Sequence, residues 1–280
     1  MGRPGQVILL TGCSTGIGRA AALEGVARGH RVYASARRPE DLADLVAKGI
    51  EALPLDVTDP ASIAAAVGHV LDSAGRIDAL VNNAGYGQYG AIEDVSPAEW
   101  RAQFEVNVFG TLAMLRAVLP AMRRARAGTI VNVSSLAGRV TIPFAGPYCA
   151  SKHALEAISD ALRVEVSPWG IRVVLVEPGP ISTRFGDRAR EATARILAVS
   201  GPYSPFYEGA ERASNREFQM GKRGPEVVAR VIVSAIEAKR PKARYRITPL
   251  AKLLVPLKAF ASDRFLDRRM KKMLRLPDRI

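Results

Sequence analysis

The chain reads as a doubly wound α/β protein, a parallel sheet with helices on both faces. Two observations predict this. Short runs of Val, Ile and Leu recur through the first 180 residues, and stretches of helical length separate them. The runs are apolar nearly throughout rather than alternating with polar residues, as expected of strands covered on both faces. Strand, helix, strand in repetition makes neighbouring strands parallel, because the return path needs a crossover.

Taken in order, strands are expected at 7–10, 31–36, 51–55, 79–81, 129–133 and 172–176. Helices are expected at 18–28, 39–48, 60–74, 97–124 and 147–166. Asp59-Pro60 and Ser96-Pro97 each pair a capping side chain with a first-turn proline and so mark helix starts. Residues 180–222 break the rhythm with Gly, Pro, Arg and the aromatics Phe185, Tyr203, Phe206 and Tyr207. They are expected to form a loop with short helices over the site. Residues 225–238 are helical again, and 245–247 suit a last edge strand. The organisation expected is one domain over 1–248, followed by a basic amphipathic extension over 249–280.

Composition narrows the function classes. The chain has 280 residues, 48% hydrophobic and 24% charged, which suits one large α/β domain. No stretch of about 18 uninterrupted apolar residues marks a membrane span, and the N-terminus runs directly into a strand rather than a secretory leader. Two cysteines, Cys13 and Cys149, form no disulfide framework and fit a cytoplasmic setting. The three histidines lack metal-ligand spacing, so no metal site is expected. The net charge of +13 is concentrated: residues 239–280 carry fourteen Lys/Arg against three Asp, and the rest of the chain carries only +2. Basicity confined to one end does not describe a nucleic-acid binder.

Each motif with chemistry falls at the carboxyl end of a strand, or on the loop or helix next after it, where such sheets bind ligands. Thr11-Gly12-Cys13-Ser14-Thr15-Gly16-Ile17-Gly18 joins the first strand to the first helix. Its glycines permit a tight turn and close approach of a diphosphate to the helix N-terminus. Asn82-Asn83-Ala84-Gly85 follows the fourth strand, Ser134-Ser135 ends the fifth, Tyr148-Cys149-Ala150-Ser151-Lys152 opens a helix, and Pro178-Gly179-Pro180-Ile181-Ser182-Thr183 follows the sixth strand. In this order the motifs resemble the single-domain branch of the short-chain dehydrogenase/reductase family, from about residue 7 to 183. The implied fold is Rossmann-like and the implied reaction is hydride transfer between a nicotinamide and a carbonyl or alcohol carbon.

The cofactor expected is NADP(H). An acidic residue ending the second strand would bind a ribose hydroxyl and repel a 2′-phosphate. This strand ends Ala36-Arg37-Arg38, with Ala36 at the acidic position. A guanidinium at Arg37, with Arg38 as the second candidate, can fork onto a phosphate. The resemblance further implies that Asp56 and Val57 meet the adenine, that Asn83, Ala84 and Gly85 flank its ribose, and that Pro178, Gly179, Ile181 and Thr183 hold the nicotinamide end. Gly12, Ser14, Thr15, Gly16, Ile17 and Gly18 take the diphosphate.

Tyr148 and Lys152 are four apart and share a helix face. A tyrosine titrates near pH 10, too high for exchange near neutrality. A nearby ammonium and the oxidised nicotinamide would lower it, so that Tyr148 donates or accepts the proton while Lys152 also holds the cofactor ribose. Ser135, thirteen residues before Tyr148, would orient the substrate oxygen. Ser134 is its rival, but adjacent strand residues face opposite ways. By resemblance, Asn107 distorts its helix and supports a proton relay to Lys152. Residues 136–147 are mostly apolar, and 143–156 resemble the steroid- and retinol-active members, which implies a bulky apolar ketone or alcohol. The resemblance also implies a homodimer or homotetramer.

Two other readings stand beside this one. A non-enzymatic dinucleotide sensor or scaffold would tolerate loss of Tyr148, Lys152 or Ser135, all of which are present. An epimerase or dehydratase would bring a longer substrate domain and a different glycine spacing. In the tail, leucines mixed with Lys/Arg over 250–276 suit either a helix packed on the domain or one that rests on an anionic membrane.

Overall fold

The computed structural model describes residues 5–198, 201–207, 223–274 and 276. Seven strands form one parallel sheet in the order β3-β2-β1-β4-β5-β6-β7. They are β1 (Val7–Leu10), β2 (Arg31–Ala36), β3 (Glu51–Pro54), β4 (Ala79–Asn82), β5 (Gly128–Val133), β6 (Ile171–Glu177) and β7 (Arg244–Arg246). The expected strands are all present, shifted by at most about a residue at their ends.

Strand pleating divides the core. Ile8 and Leu10 point to one face, against Ala21 and Ala22 of α1 (Gly16–Ala27) and Val228, Ile232 and Ile236 of α8 (Glu226–Glu237). Val7 and Leu9 point to the other, with Ile63, Val67 and Val70 of α3 (Pro60–Ala74) and Met114, Val118 and Met122 of α5 (Gly110–Ala125). Each Val, Leu, Ile or Met among them contributes about 1.5–3 kcal/mol by leaving water. Helices on both faces leave the carboxyl ends of the strands as the open edge. The strand order reverses between β1 and β4, and the glycine loop and the Asn83 loop meet there.

Three expectations change. The helix expected at 39–48 is a 3-10 turn, Pro39–Leu42, followed by one turn of helix, α2 (Ala43–Val46), which buries Leu42 and Leu45 and no longer apolar face. The helix expected at 97–124 is divided. Its first part is α4 (Pro97–Phe104), opened by a full capping box between Ser96 and Glu99, and a π turn at Glu105–Phe109 separates it from α5. By length and composition the combined helix 97–125 could cross a membrane, yet Met114, Leu115, Val118 and Met122 pack on the sheet. Residues 180–222 hold a thirteen-residue helix, α7 (Phe185–Leu197), longer than expected. Tyr203, Phe206 and Tyr207 come after it, and 208–222 lie outside the described residues.

The tail forms two helices, α9 (Pro249–Phe260) and α10 (Asp263–Leu274). Ala251 and Val255 are buried against Leu136 and Val140, just beyond Ser135, and Lys258 Nζ donates to Arg139 O at 2.9 Å. Its inner side therefore packs on the domain, beside the catalytic strand end.

Candidate active site

The cofactor cleft is built on backbone proximity. Gly12 has φ +71°, and a Cβ there would sit 2.8 Å from Ala84 Cα. A Cβ on Gly18 would sit 2.5 Å from Gly12 O. Both positions require glycine. The two loops are then stitched together: Thr11 Oγ1 accepts from the Asn83 and Ala84 amides at 3.0 Å, and Asn83 Nδ2 donates to Thr11 O and Gly12 O at 3.0 and 2.9 Å. Thr15, the N-cap of α1, places no side-chain bond on the helix end, so the first-turn amides are available to a diphosphate. Thr183 closes on this loop, 3.3 Å from where a Gly16 Cβ would lie. The cleft thus fits a dinucleotide.

Arg37 and Arg38 are both exposed at the end of β2. Arg38 pairs with Asp41 at 3.2 Å, which leaves Arg37 the better placed of the two. Arg37 acts electrostatically on Asp56. Burial pushes the Asp56 carboxyl up, but two hydrogen bonds from Thr58 and the Arg37 charge outweigh it, and the net shift is downward. Val57 is buried, and a Cβ on Gly110 would lie 2.8 Å from its Cγ2. Any Val57 contact with an adenine would thus fall mainly to its backbone. Ile181 is buried in the core, and Pro178 O accepts from the Leu136 amide at 2.7 Å, which ties the Pro-Gly turn to the residue after Ser135.

The catalytic candidates converge on α6 (Gly146–Glu165). The Ser135 hydroxyl holds the Tyr148 phenol lower than burial alone would, while Ser134 is buried on the side of Glu156. The two serines thus lie on opposite sides of the chain, as adjacent extended residues do. Lys152 Nζ donates to Val133 O at 2.9 Å and lies 5.9 Å from the Tyr148 ring centre. The π turn carries Asn107 inward. Its Nδ2 donates to Tyr86 O and Ser151 Oγ, each at 3.0 Å, and its Oδ1 accepts from the Tyr86 amide at 3.2 Å. A Cβ on Gly85 would fall 2.9 Å from Asn107 Oδ1 and 3.8 Å from Lys152 Nζ, so the two side chains converge beneath that glycine.

Electrostatics correct one expectation. Burial pushes the Tyr148 phenol up to about 12, and the Ser135 hydrogen bond offsets only part of this. Burial also pulls Lys152 down to about 8, although Glu156 opposes it. The protein alone does not acidify the phenol, because Lys152 is itself desolvated and directed to Val133 O. Both cysteines are buried with thiols pushed up by burial, Cys13 to about 12, which makes them packing residues.

Four side chains at the site were given no individual role by the sequence reading. Tyr89 and Phe185 pack on Tyr148, with ring centres 6.2 and 5.4 Å from it, and with Ala137, Ile142 and Ala145 they make the surroundings of the phenol apolar. Arg188 of α7 donates to Ser14 Oγ at 3.1 Å, which reaches from the substrate side to the glycine loop. The fourth, Ser151, links Asn107 to the Tyr148 carbonyl, to which it donates at 2.8 Å. Its position within Tyr-x-x-x-Lys was the only available signal.

A cofactor cleft at the strand reversal and a Ser-Tyr-Lys constellation beside it define a nicotinamide-dependent oxidoreductase. Residues 6–194 match the family model described as short chain dehydrogenase, and the chain belongs to the short-chain dehydrogenase/reductase family. It is 36% identical to the 3-ketodihydrosphingosine reductase of Bacteroides thetaiotaomicron over 89% of this chain and 90% of that one. It is 35% identical to human 17-beta-hydroxysteroid dehydrogenase type 1 over 88% and 80%. Among solved structures it resembles a Burkholderia phymatum short-chain dehydrogenase/reductase in complex with NAD, with TM-score 0.81, 28% identity and 95% and 96% of the two chains covered. It likewise resembles a Burkholderia cenocepacia short-chain dehydrogenase in complex with NADP, with TM-score 0.74, 28% identity and 99% and 100% covered.

Proposed function

We propose that the protein is an NADP(H)-dependent enzyme that interconverts a bulky apolar ketone and its secondary alcohol. The observation that carries the reading is the convergence of Ser135 and Lys152 on Tyr148 beside the glycine loop. When bound, the nicotinamide supplies or accepts the hydride. In reduction Tyr148 gives its proton to the carbonyl oxygen, and in oxidation it takes that proton back. Ser135 orients the oxygen by hydrogen bonding. Lys152 holds the cofactor ribose, and its charge favours the phenolate form. Arg37, exposed where a 2′-phosphate would fall and with no acid in place of Ala36, supports NADP(H) over NAD(H).

The apolar contacts around Tyr148 support a bulky substrate, as do the names of the steroid- and sphingoid-active relatives. The reading includes a cytoplasmic homodimer or homotetramer whose extension, 249–280, rests on an anionic phospholipid surface. Leu253, Leu257, Phe260, Phe265 and Met273 are exposed, with Phe260 at 91%, and Arg264, Arg268, Lys271 and Lys272 gather with one acid, Asp267, around a surface cleft of about 510 Å³. Apolar side chains among cations complement anionic headgroups over hydrocarbon.

The test is a fluorescence titration with NADPH and NADH, followed by absorbance assays over ketones from small aldehydes to steroids. NADPH-dependent turnover that Tyr148→Phe lowers by roughly 10²–10⁴-fold, with NADPH binding retained, supports the reading. Tight NADPH binding without turnover of any compound favours the sensor reading.

A further inference from the structure

One bulky residue near Tyr148 holds a backbone conformation that its side chain disfavours. Ile142-Pro143-Phe144-Ala145 is a turn closed by the Ala145 amide on Ile142 O at 3.1 Å, with proline second. Phe144, third in the turn, has φ +64°. Gly or Asn ordinarily takes such a position, because a Cβ crowds the backbone there. Among the described residues only Arg126, at the end of α5, shares a positive φ without being glycine. The turn alone gives a phenylalanine no compensation, so the hold on it comes from outside.

That hold is on the ring. Phe144 meets Tyr207 and Tyr203 edge to face, with ring centres 5.6 and 6.4 Å apart. Tyr207 is buried, and its hydroxyl is fixed by the Ala91 amide at 3.0 Å and by Asp94. With Ala91, Val95 and Ile196 of α7 the rings form a small core of their own. The neighbours of Phe144 go elsewhere, since Ile142 and Ala145 pack with Tyr148. The left-handed residue is thus the point at which one turn serves two clusters.

Residues 89–91 join the same two clusters from the other side. The Tyr89 ring lies 6.2 Å from that of Tyr148, and its amide donates to Thr193 Oγ1 of α7 at 3.2 Å. The Gly90 amide donates to Phe144 O at 2.8 Å, and Gly90 pairs with Ala145 in an isolated parallel bridge. A Cβ on Gly90 would lie 2.7 Å from Ile196 Cδ1, so α7 closes directly on this bridge. Returning residue 144 to negative φ would turn its carbonyl away from the Gly90 amide and open the bridge.

We infer that Phe144 is a positioning residue for substrate size. Its ring, packed on Tyr203 and Tyr207, holds the left-handed turn, and the turn holds Tyr89, Ile142 and Ala145 as an apolar wall beside Tyr148. The inference rests on the dehydrogenase reading only in taking that wall as the surface that receives a ketone.

Two substitutions separate ring from backbone. Phe144→Ala removes the ring and keeps the strain, so the turn should relax. Phe144→Gly removes the same ring, but a left-handed glycine is unstrained and the turn should stay. Hydrogen exchange at the Gly90 amide reads this directly: it should quicken by about tenfold in Phe144→Ala, the size of effect that strain of this kind implies, and stay near wild type in Phe144→Gly. In Phe144→Ala the KM of a bulky apolar ketone should rise by about tenfold relative to that of a small aldehyde, with kcat falling less than KM rises, and Phe144→Gly should restore it. Equal behaviour of the two variants, or a greater loss in Phe144→Gly, overturns the inference. If Phe144→Ala does not fold, Tyr203→Leu serves in its place. It should quicken Gly90 exchange in the wild-type chain and have no such effect in Phe144→Gly, where there is no ring to hold; equal effects in both overturn the inference. Exchange needs no turnover, so the expected exchange pattern in a protein that reduces no ketone would sink the dehydrogenase reading and leave the hold of Phe144 on the wall standing. Turnover with a KM blind to substrate size in Phe144→Ala would do the reverse.

Discussion

Asn107 Nδ2 donates to Ser151 Oγ at 3.0 Å, and this bond joins the π turn to the helix that carries Tyr148 and Lys152. The same side chain holds both backbone groups of Tyr86. Asn107→Ala would leave the Tyr86 amide without its acceptor, while Tyr86 O keeps Gln103 and Ser151 Oγ keeps the Tyr148 carbonyl, at about 1–2 kcal/mol. The melting temperature should fall by about 2–4 °C per kcal/mol. Activity should fall through kcat more than KM, because the altered contacts support Lys152 rather than the substrate. Calorimetry and steady-state kinetics on one preparation check both, and an unchanged kcat would remove Asn107 from the relay.

Arg37→Ala should abolish preference for NADPH. A charge-assisted contact contributes about 1.5–3 kcal/mol, so NADPH affinity should fall by roughly 10–100-fold while NADH affinity stays nearly constant. The wild-type preference should also shrink as salt rises, since Arg37 is exposed. Equal losses for both nucleotides would mean that Arg37 does not read the 2′-phosphate.

Lys152→Met gives a stability test with a definite sign. Lys152 falls from its ordinary 10.5 to about 8 in the folded chain because burial penalises its charge. Between these values the unfolded state binds more protons, so this group makes stability rise with pH from about 8 toward 10.5. Below pH 8 its cost is fully present. The Met variant should therefore be more stable than wild type near pH 6.5, and the gap should narrow through pH 8–10. A gap independent of pH would show that the side chains differ in packing alone.

The tail predicts selective binding to vesicles. Flotation with phosphatidylcholine alone should leave the protein in solution, and adding an anionic phospholipid should carry it upward. Phe260→Ser together with Lys271→Glu and Lys272→Glu should abolish flotation without altering reduction of a water-soluble ketone. Equal flotation of wild type and triple variant would end the membrane proposal. A stable dimer that loses its partner in the same variant would make a second copy the occupant of this face.

Much of the fold was legible because burial on both faces leaves a plain trace. β1 is apolar from end to end and β2 is buried from Val32 to Ala36, and the limits of both match the expected ones. The helix after β2 was legible but its shortness was not, since only Leu42 and Leu45 are buried among Glu40, Asp41 and Asp44. Ser135 was preferred to Ser134 by its spacing from Tyr148, with the pleat turning the two serines to opposite faces. Arg244 could not be found that way: its partners Glu156 and Asp160 lie 88 and 84 residues earlier, and nothing local marks them as one cluster. The direction of the Tyr148 shift was also hidden, because burial is a property of the assembled site. The spacing to Lys152 indicates an ammonium nearby and says nothing of how much water either group has lost.

The three-residue strand β7 has a consequence for how the chain comes together. Domains generally begin to fold from the N-terminus as they are synthesised. Glu156 and Glu177 emerge long before Arg244, yet in the finished sheet both are buried against it. Until Arg244 arrives, closing α6 over the end of β6 would bury two uncompensated charges, which is strongly unfavourable. The nascent sheet must therefore stay open at that edge, or take up protons there, until nearly the whole domain has left the ribosome. A ribosome stalled before residue 244 should hold a protease-sensitive chain, and release of the last strand should act as the latch that makes it resistant.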